Sequence, residues 1–119
     1  MNQRIYTHQT TLDVTPDRAL EIIRYKYFPA TGYTITAVDD KKRQVVAELH
    51  PNKQVHCKAT VDVKEVASKP QAALVDVRIV VDLPSGLLAK ALTSFQKADH
   101  AVTLCESLNE VTKAAEQSA

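Results

Sequence analysis

The sequence predicts an α+β fold in which one antiparallel sheet is covered on one face by a long C-terminal helix. Three observations predict it. Residues 55–64 and 75–83 alternate apolar and polar side chains with a period of two, as half-buried strands do. Residues 87–116 contain no Gly or Pro and repeat apolar side chains at helical spacing. The chain has 119 residues, 45% hydrophobic and 24% charged, an ordinary balance for one globular core, so residues 1–119 are read as a single domain.

The elements follow in the order strand, helix, four strands, helix. Tyr6, His8, Thr10, Leu12 and Val14 share one face of an alternating segment, which makes residues 4–14 the first strand. Thr15-Pro16-Asp17 is a helix start: a hydroxyl to cap free amides, a proline suited to the first turn, and a carboxylate at the positive end of the dipole. Ala19, Leu20, Ile22, Ile23 and Tyr27 then recur at helical spacing, so a helix over 16–27 is expected before Pro29 and Gly32 end it. From Gly32 the period changes to two. Tyr33, Ile35 and Ala37 form one strand face, Asp39-Asp40-Lys41-Lys42 is a polar turn, and Val45, Ala47 and Leu49 continue in the next strand. After Pro51-Asn52-Lys53, Val55, Cys57, Ala59, Val61 and Val63 point inward, with His56, Lys58, Thr60, Asp62 and Lys64 opposite them. The last strand places Val75, Val77, Ile79, Val81 and Leu83 inward and Asp76, Arg78 and Asp82 outward, where alternating signs suggest cross-strand ion pairs. An unbroken helix over 87–116 would be about 45 Å long at 1.5 Å per residue, longer than the sheet it covers. Part of it is expected to overhang, bend or pack on another molecule.

Composition excludes several classes of function. The formal net charge is +1, which gives no global field for phosphates or anionic lipid. The outward sheet face has no aromatic stacking platform, so no nucleic-acid partner is expected. The polar N-terminus and the lack of a long apolar run imply no export signal and no membrane partner, and the location expected is cytoplasmic. Cys57 and Cys105 belong to no CxxC pair and read as buried free thiols. His56 adjoins Cys57 and points to the opposite face, so the two form no nucleophile pair. His50 and His56 flank the Pro51 turn with Glu48 as the nearby carboxylate, a set read as exposed hairpin histidines, and no metal site is expected. His8 is expected to be a hydrogen-bonded structural histidine, and Asp99-His100 to be solvated helix surface. No phosphate-cradling or hydrolase motif occurs, so no catalytic residue and no cofactor are assigned.

The run Val77-Arg78-Ile79-Val80-Val81-Asp82-Leu83-Pro84-Ser85-Gly86-Leu87-Leu88-Ala89-Lys90-Ala91-Leu92, with Cys105-Glu106-Ser107-Leu108 after it, resembles the C-terminal part of the START/Bet v 1-like superfamily, the polyketide cyclase and lipid-transfer group. The resemblance covers about a third of the chain. It implies a small apolar ligand held between a curved sheet and the long helix. Tyr27, Phe28, Tyr33, Val77, Ile79, Leu88, Leu92 and Phe95 are the ligand-binding candidates on that reading. The order of elements also fits TATA-binding-protein-like domains and other small α+β folds. A second reading rests on helix length: a protein-interaction or homodimerising domain whose C-terminal helix presents Val102, Cys105, Leu108 and Val111 to a partner.

Overall fold

The computed structural model describes residues 2–52, 55–83 and 99–117. Five strands, β1 (Asn2–Leu12), β2 (Thr34–Asp39), β3 (Gln44–Asn52), β4 (Val55–Val66) and β5 (Lys69–Leu83), form one antiparallel sheet in the order β1-β5-β4-β3-β2. Among the described residues two α-helices accompany the sheet: α1 (Pro16–Ile22) between β1 and β2, and α2 (His100–Gln117) after β5. The predicted succession and the α+β class are present. β2 to β5 are an antiparallel meander, and β1 pairs with β5 at the edge.

Register stacks the inward residues into rows. Tyr6, Ile79, Ala59, Ala47 and Ile35 form one row across all five strands, and Val77, Val61 and Val45 lie in the next. Ala47, Ala59, Val61 and Val77 are fully buried, and the two alanines leave the middle of the sheet shallow. The outward face carries the Lys64–Asp76 ion pair at 3.5 Å. Asp82, expected to pair with a basic strand residue, meets His56 instead.

α1 starts as its sequence dictates. Thr15 is extended and its hydroxyl accepts from the Arg18 amide at 3.3 Å, with Pro16 next and Asp17 in the first turn. The first strand stops at Leu12, two residues short of the expected 14, because the chain must turn before this cap; Val14 is nonetheless buried. The helical path also runs further than expected. Ile23–Tyr27 form a π turn and Phe28–Ala30 a 3₁₀ turn, with the Phe28 amide donating to the Ile23 carbonyl five residues back. Ile22 and Tyr27, and likewise Ile23 and Phe28, are buried pairs spaced by five, a spacing that a wide turn brings to one face and an α turn does not.

α2 departs from the expected helix at its start. The Asp99 carboxylate accepts from the Ala101 and Val102 amides at 3.1 and 3.2 Å, so Asp99 is exposed as expected but caps the helix and does not lie within it. Residues 87–98, the first part of the expected helix, lie outside the described residues, and with them the overhang inferred from its length. α2 runs along the inner side of β1. The His100 ring meets the Tyr6 ring edge-on at 5.0 Å, and Asn109 donates to the Thr10 hydroxyl at 2.8 Å. Arg18 of α1 reaches Glu116 at 2.8 Å and also pairs with Glu21. Ala101, Leu104, Cys105, Leu108 and Ala115 bury the apolar stripe against the sheet. His8, expected to be bonded inside, is exposed: β1 is the sheet's edge, and α2 covers only part of its inner face. No helix among the described residues is long and apolar enough to cross a membrane.

Candidate functional site

Where α2 begins, a half-open chamber of about 160 Å³ lies between the helix and the sheet. Leu49 of β3 and Cys57 of β4 are its floor. They are paired in the register, so the floor is two adjacent strands. Tyr27 and Tyr33 form one wall, and His100, Thr103, Leu104 and Ser107 of α2 form the other. Gly32 backs the floor closely; a Cβ there would lie 3.0 Å from Leu49 Cδ1.

The aromatic wall is built on Phe28. Phe28 is fully buried and packs against Tyr27 at 5.2 Å and Tyr33 at 5.6 Å between ring centroids, so it seats both rings without lining the chamber. Thr31 anchors the turn, with its hydroxyl donating to the Phe28 carbonyl at 2.7 Å and accepting from the Tyr33 amide at 3.1 Å. The Tyr27 phenol lies 2.7 Å from the Ser107 hydroxyl, which donates to the Leu104 carbonyl at 3.1 Å. With that proton committed, Tyr27 donates to Ser107. The Tyr33 hydroxyl has no hydrogen-bond partner among the described residues.

Burial sets the chemistry of the chamber. It pushes the Tyr33 phenol well above its ordinary range, with smaller contributions from Cys57 and Tyr27. It also raises Tyr27, against the opposing effect of the Ser107 bond. Both cysteines are buried and free, and burial pushes each thiol up to about 11, aided by Asp82 at Cys57 and by Asp99 and Asp76 at Cys105. Thiols of this kind are protonated at neutral pH and poor nucleophiles.

The thiol shifts have a consequence for stability. A folded-state pKa above the unfolded value means that the native state holds its protons longer, so the stability contribution is complete below pH 9 and is lost as pH rises towards 11. The urea midpoint is therefore expected to hold to about pH 8.5 and then fall. Cys57→Ala with Cys105→Ala should have a lower midpoint throughout and a shallower decline between pH 9 and 10, before the tyrosines titrate. Equal slopes for parent and variant would show that the thiols do not carry the effect.

Of the residues expected from the sequence, Tyr27 and Tyr33 line the chamber, and Phe28 lies directly behind them. Val77 and Ile79 belong to the packed sheet interior. Leu88, Leu92 and Phe95 lie outside the described residues. Cys105 and Leu108, named for an interface, are buried in the chain's own core, whereas Val102 and Val111 are half-buried. Leu49, Cys57, His100, Thr103, Leu104 and Ser107 were missed. Their inward faces were legible for Leu49 and Cys57, but the gap above them depends on where α2 sits.

By sequence the chain matches no protein-family model, and no curated protein matches it. Its structure does have counterparts. The Zhui aromatase/cyclase from Streptomyces sp. R1128 superposes with a TM-score of 0.72 at 12% identity, covering 98% of this chain and 95% of that one. Ara h 8.0201 superposes with a TM-score of 0.60 at 7% identity, covering 95% and 99%. The chain has the START/Bet v 1-like fold. TTHA0849 from Thermus thermophilus is also similar, with a TM-score of 0.66, 11% identity and coverage of 94% and 99%. The START/Bet v 1-like likeness read from the last strand and helix thus extends over nearly the whole chain. At these identities it is a likeness of fold.

Proposed function

We propose that this chain is a small binding module that holds an apolar ligand between its sheet and C-terminal helix. The observation that carries this reading is the chamber over Leu49 and Cys57, apolar on its floor and bordered by Tyr33, whose hydroxyl has no partner among the described residues. An apolar cavity of about 150 Å³ accommodates a benzene-sized molecule. The described walls therefore suit one aromatic ring, with a polar substituent directed at Tyr33. Zhui is named an aromatase/cyclase, which makes a ring-containing ligand a reasonable class for this fold.

The module binds its ligand without converting it. Ser107 is bonded to a phenol with a raised pKa, which cannot serve as its base at neutral pH. The alternative of pairing through α2 has less support, because two of its four named residues already serve the chain's own core.

The test uses p-cresol and toluene, read by saturation-transfer NMR and calorimetry. The p-cresol Kd is expected below about 1 mM, which asks about 0.5 kcal/mol of each of its eight heavy atoms, well under the ceiling for very small ligands. Leu104→Trp or Ser107→Leu, each of which fills the chamber, should weaken binding at least tenfold with the fold intact by circular dichroism. Absence of binding by both probes, or equal binding by parent and filled variants, would overturn the proposal.

A further inference from the structure

On the sheet face away from the chamber, three side chains that can bind metal converge. One ligand atom from each of Glu48, His50 and His56 lies within 4.8 Å of the others. The two imidazoles are stacked, with centroids 4.7 Å apart and planes 23° from parallel. His56 is held between two carboxylates, with Nε2 at 2.5 Å from Glu48 Oε1 and Nδ1 at 3.4 Å from Asp82 Oδ2. Its position follows from register, which sets His56 of β4 opposite Asp82 of β5.

A neutral imidazole carries one N–H and one lone pair, so it can donate to only one of two flanking carboxylates. With the proton on Nδ1 towards Asp82, the Nε2 lone pair and a Glu48 oxygen face each other. They then need a cation, either a second proton or a metal ion. A carboxylate that receives the far N–H of a histidine and leaves its other nitrogen for the metal is the usual outer shell of a zinc-binding histidine. Asp82 also keeps Oδ1 shielded from solvent with no hydrogen-bond partner among the described residues, so negative charge here exceeds what one His56 proton satisfies. Glu48 forms its ion pair with His56; Thr36 also hydrogen-bonds this carboxylate, and Lys58, its partner in the register, acts on it only as a more distant charge.

We propose that Glu48, His50 and His56 form a binding site for one divalent transition-metal ion of the zinc class, with Asp82 as the outer carboxylate that orients His56. Zinc bonds nitrogen and oxygen at about 2.0–2.2 Å, which places neighbouring ligand atoms roughly 3.5 Å apart in a tetrahedron. The ligand atoms lie within 4.8 Å of one another and the two rings are stacked, so binding requires the side chains to rotate to reach that spacing. Three protein ligands leave a coordination position for water. The ligands lie on β3 and β4, so the sheet positions them. Glu48 and His50 flank Leu49, and His56 precedes Cys57, so an ion held here would pin the two strands that floor the chamber.

The experiment titrates the chelator-treated full chain with ZnCl₂ by calorimetry and with CoCl₂ by visible absorption. One equivalent is expected to bind, with the ring resonances of His50 and His56, and not those of His8, perturbed in ¹H NMR. His50→Ala and Glu48→Gln should each weaken binding at least tenfold, and Asp82→Asn about 10–100-fold, as loss of an outer carboxylate does. His8→Ala should bind like the parent. No saturable binding at 100 µM protein, or affinity unchanged in His50→Ala and Glu48→Gln, would overturn the site. Perturbation of the parent's His8 resonance in place of those of His50 and His56 would do the same without any variant.

Discussion

Replacing Phe28 by alanine is expected to lower the unfolding free energy by about 3–5 kcal/mol, the range for removing a buried aromatic ring. Phe28 is among the largest fully buried side chains, and it sits at the junction of the π and 3₁₀ turns that follow α1. Its removal costs the transfer of the ring from water, the cavity left behind, and two ring contacts worth about 0.5–1.5 kcal/mol each. Neighbours cannot easily collapse into the space, because Tyr27 is fixed through Ser107 and the following turn is fixed by Thr31. Phe28→Leu should cost less, since it retains much of the volume. The loss should extend to ligand uptake, because the tyrosines lining the chamber are seated on this ring. Urea unfolding gives the first result and p-cresol titration the second. A change below about 1 kcal/mol would contradict the packing described for this corner.

The second large effect is expected at Leu108. This side chain is fully buried at the centre of the α2 stripe, flanked by Leu104, Cys105 and Thr112. Leu108→Ala should cost about 2–5 kcal/mol, whereas Leu108→Met, close in volume, should cost less than about 1.5 kcal/mol. Val111→Ala, at a half-buried position one turn on, should cost less than Leu108→Ala. This ranking separates two roles for the helix. If Leu108 were an interface residue in place of a core residue, its substitution would alter association and leave the monomer's unfolding almost unchanged.

The features legible in the sequence were those set by local periodicity. The alternation over residues 55–64 is strict, and over 75–83 only Val80 breaks it, so the apolar face and its need for a cover follow from residue order alone. Thr15-Pro16-Asp17 announced α1 because capping chemistry is local. The π turn was not legible, since its signal, buried pairs spaced by five, overlaps with an ordinary amphipathic helix until burial is known. The start of α2 was hidden for a related reason: no Gly or Pro marks it, and Asp99 reads as surface until its carboxylate is seen on two amides. The chamber and the histidine cluster depend on long-range placement. Leu49 and Cys57 were known to face inward, but only the position of α2 decides which inward residues border a gap. The proximity of Glu48 to His56 could be anticipated across one hairpin. Asp82 could not, because it arrives from β5 through a register that the sequence does not state.

The edge position of β1 also bears on the order of events during synthesis. Its ladder runs from Asn2 opposite Leu83 to Leu12 opposite Ala73, so no residue of β1 can pair until Ala73 has left the ribosome, and the ladder is complete only once Leu83 has followed. The meander of β2 to β5 can zip through neighbouring hairpins while the first strand waits, since nearby contacts form before distant ones. A strand left waiting in this way is a hazard if it is sticky. Residues 3–11 are instead rich in threonine and glutamine, with Arg4 and His8 among them, and Ile5 is the one strongly apolar member. The polar character that makes β1 a plain edge strand in the finished sheet keeps the nascent chain from pairing with the wrong neighbour.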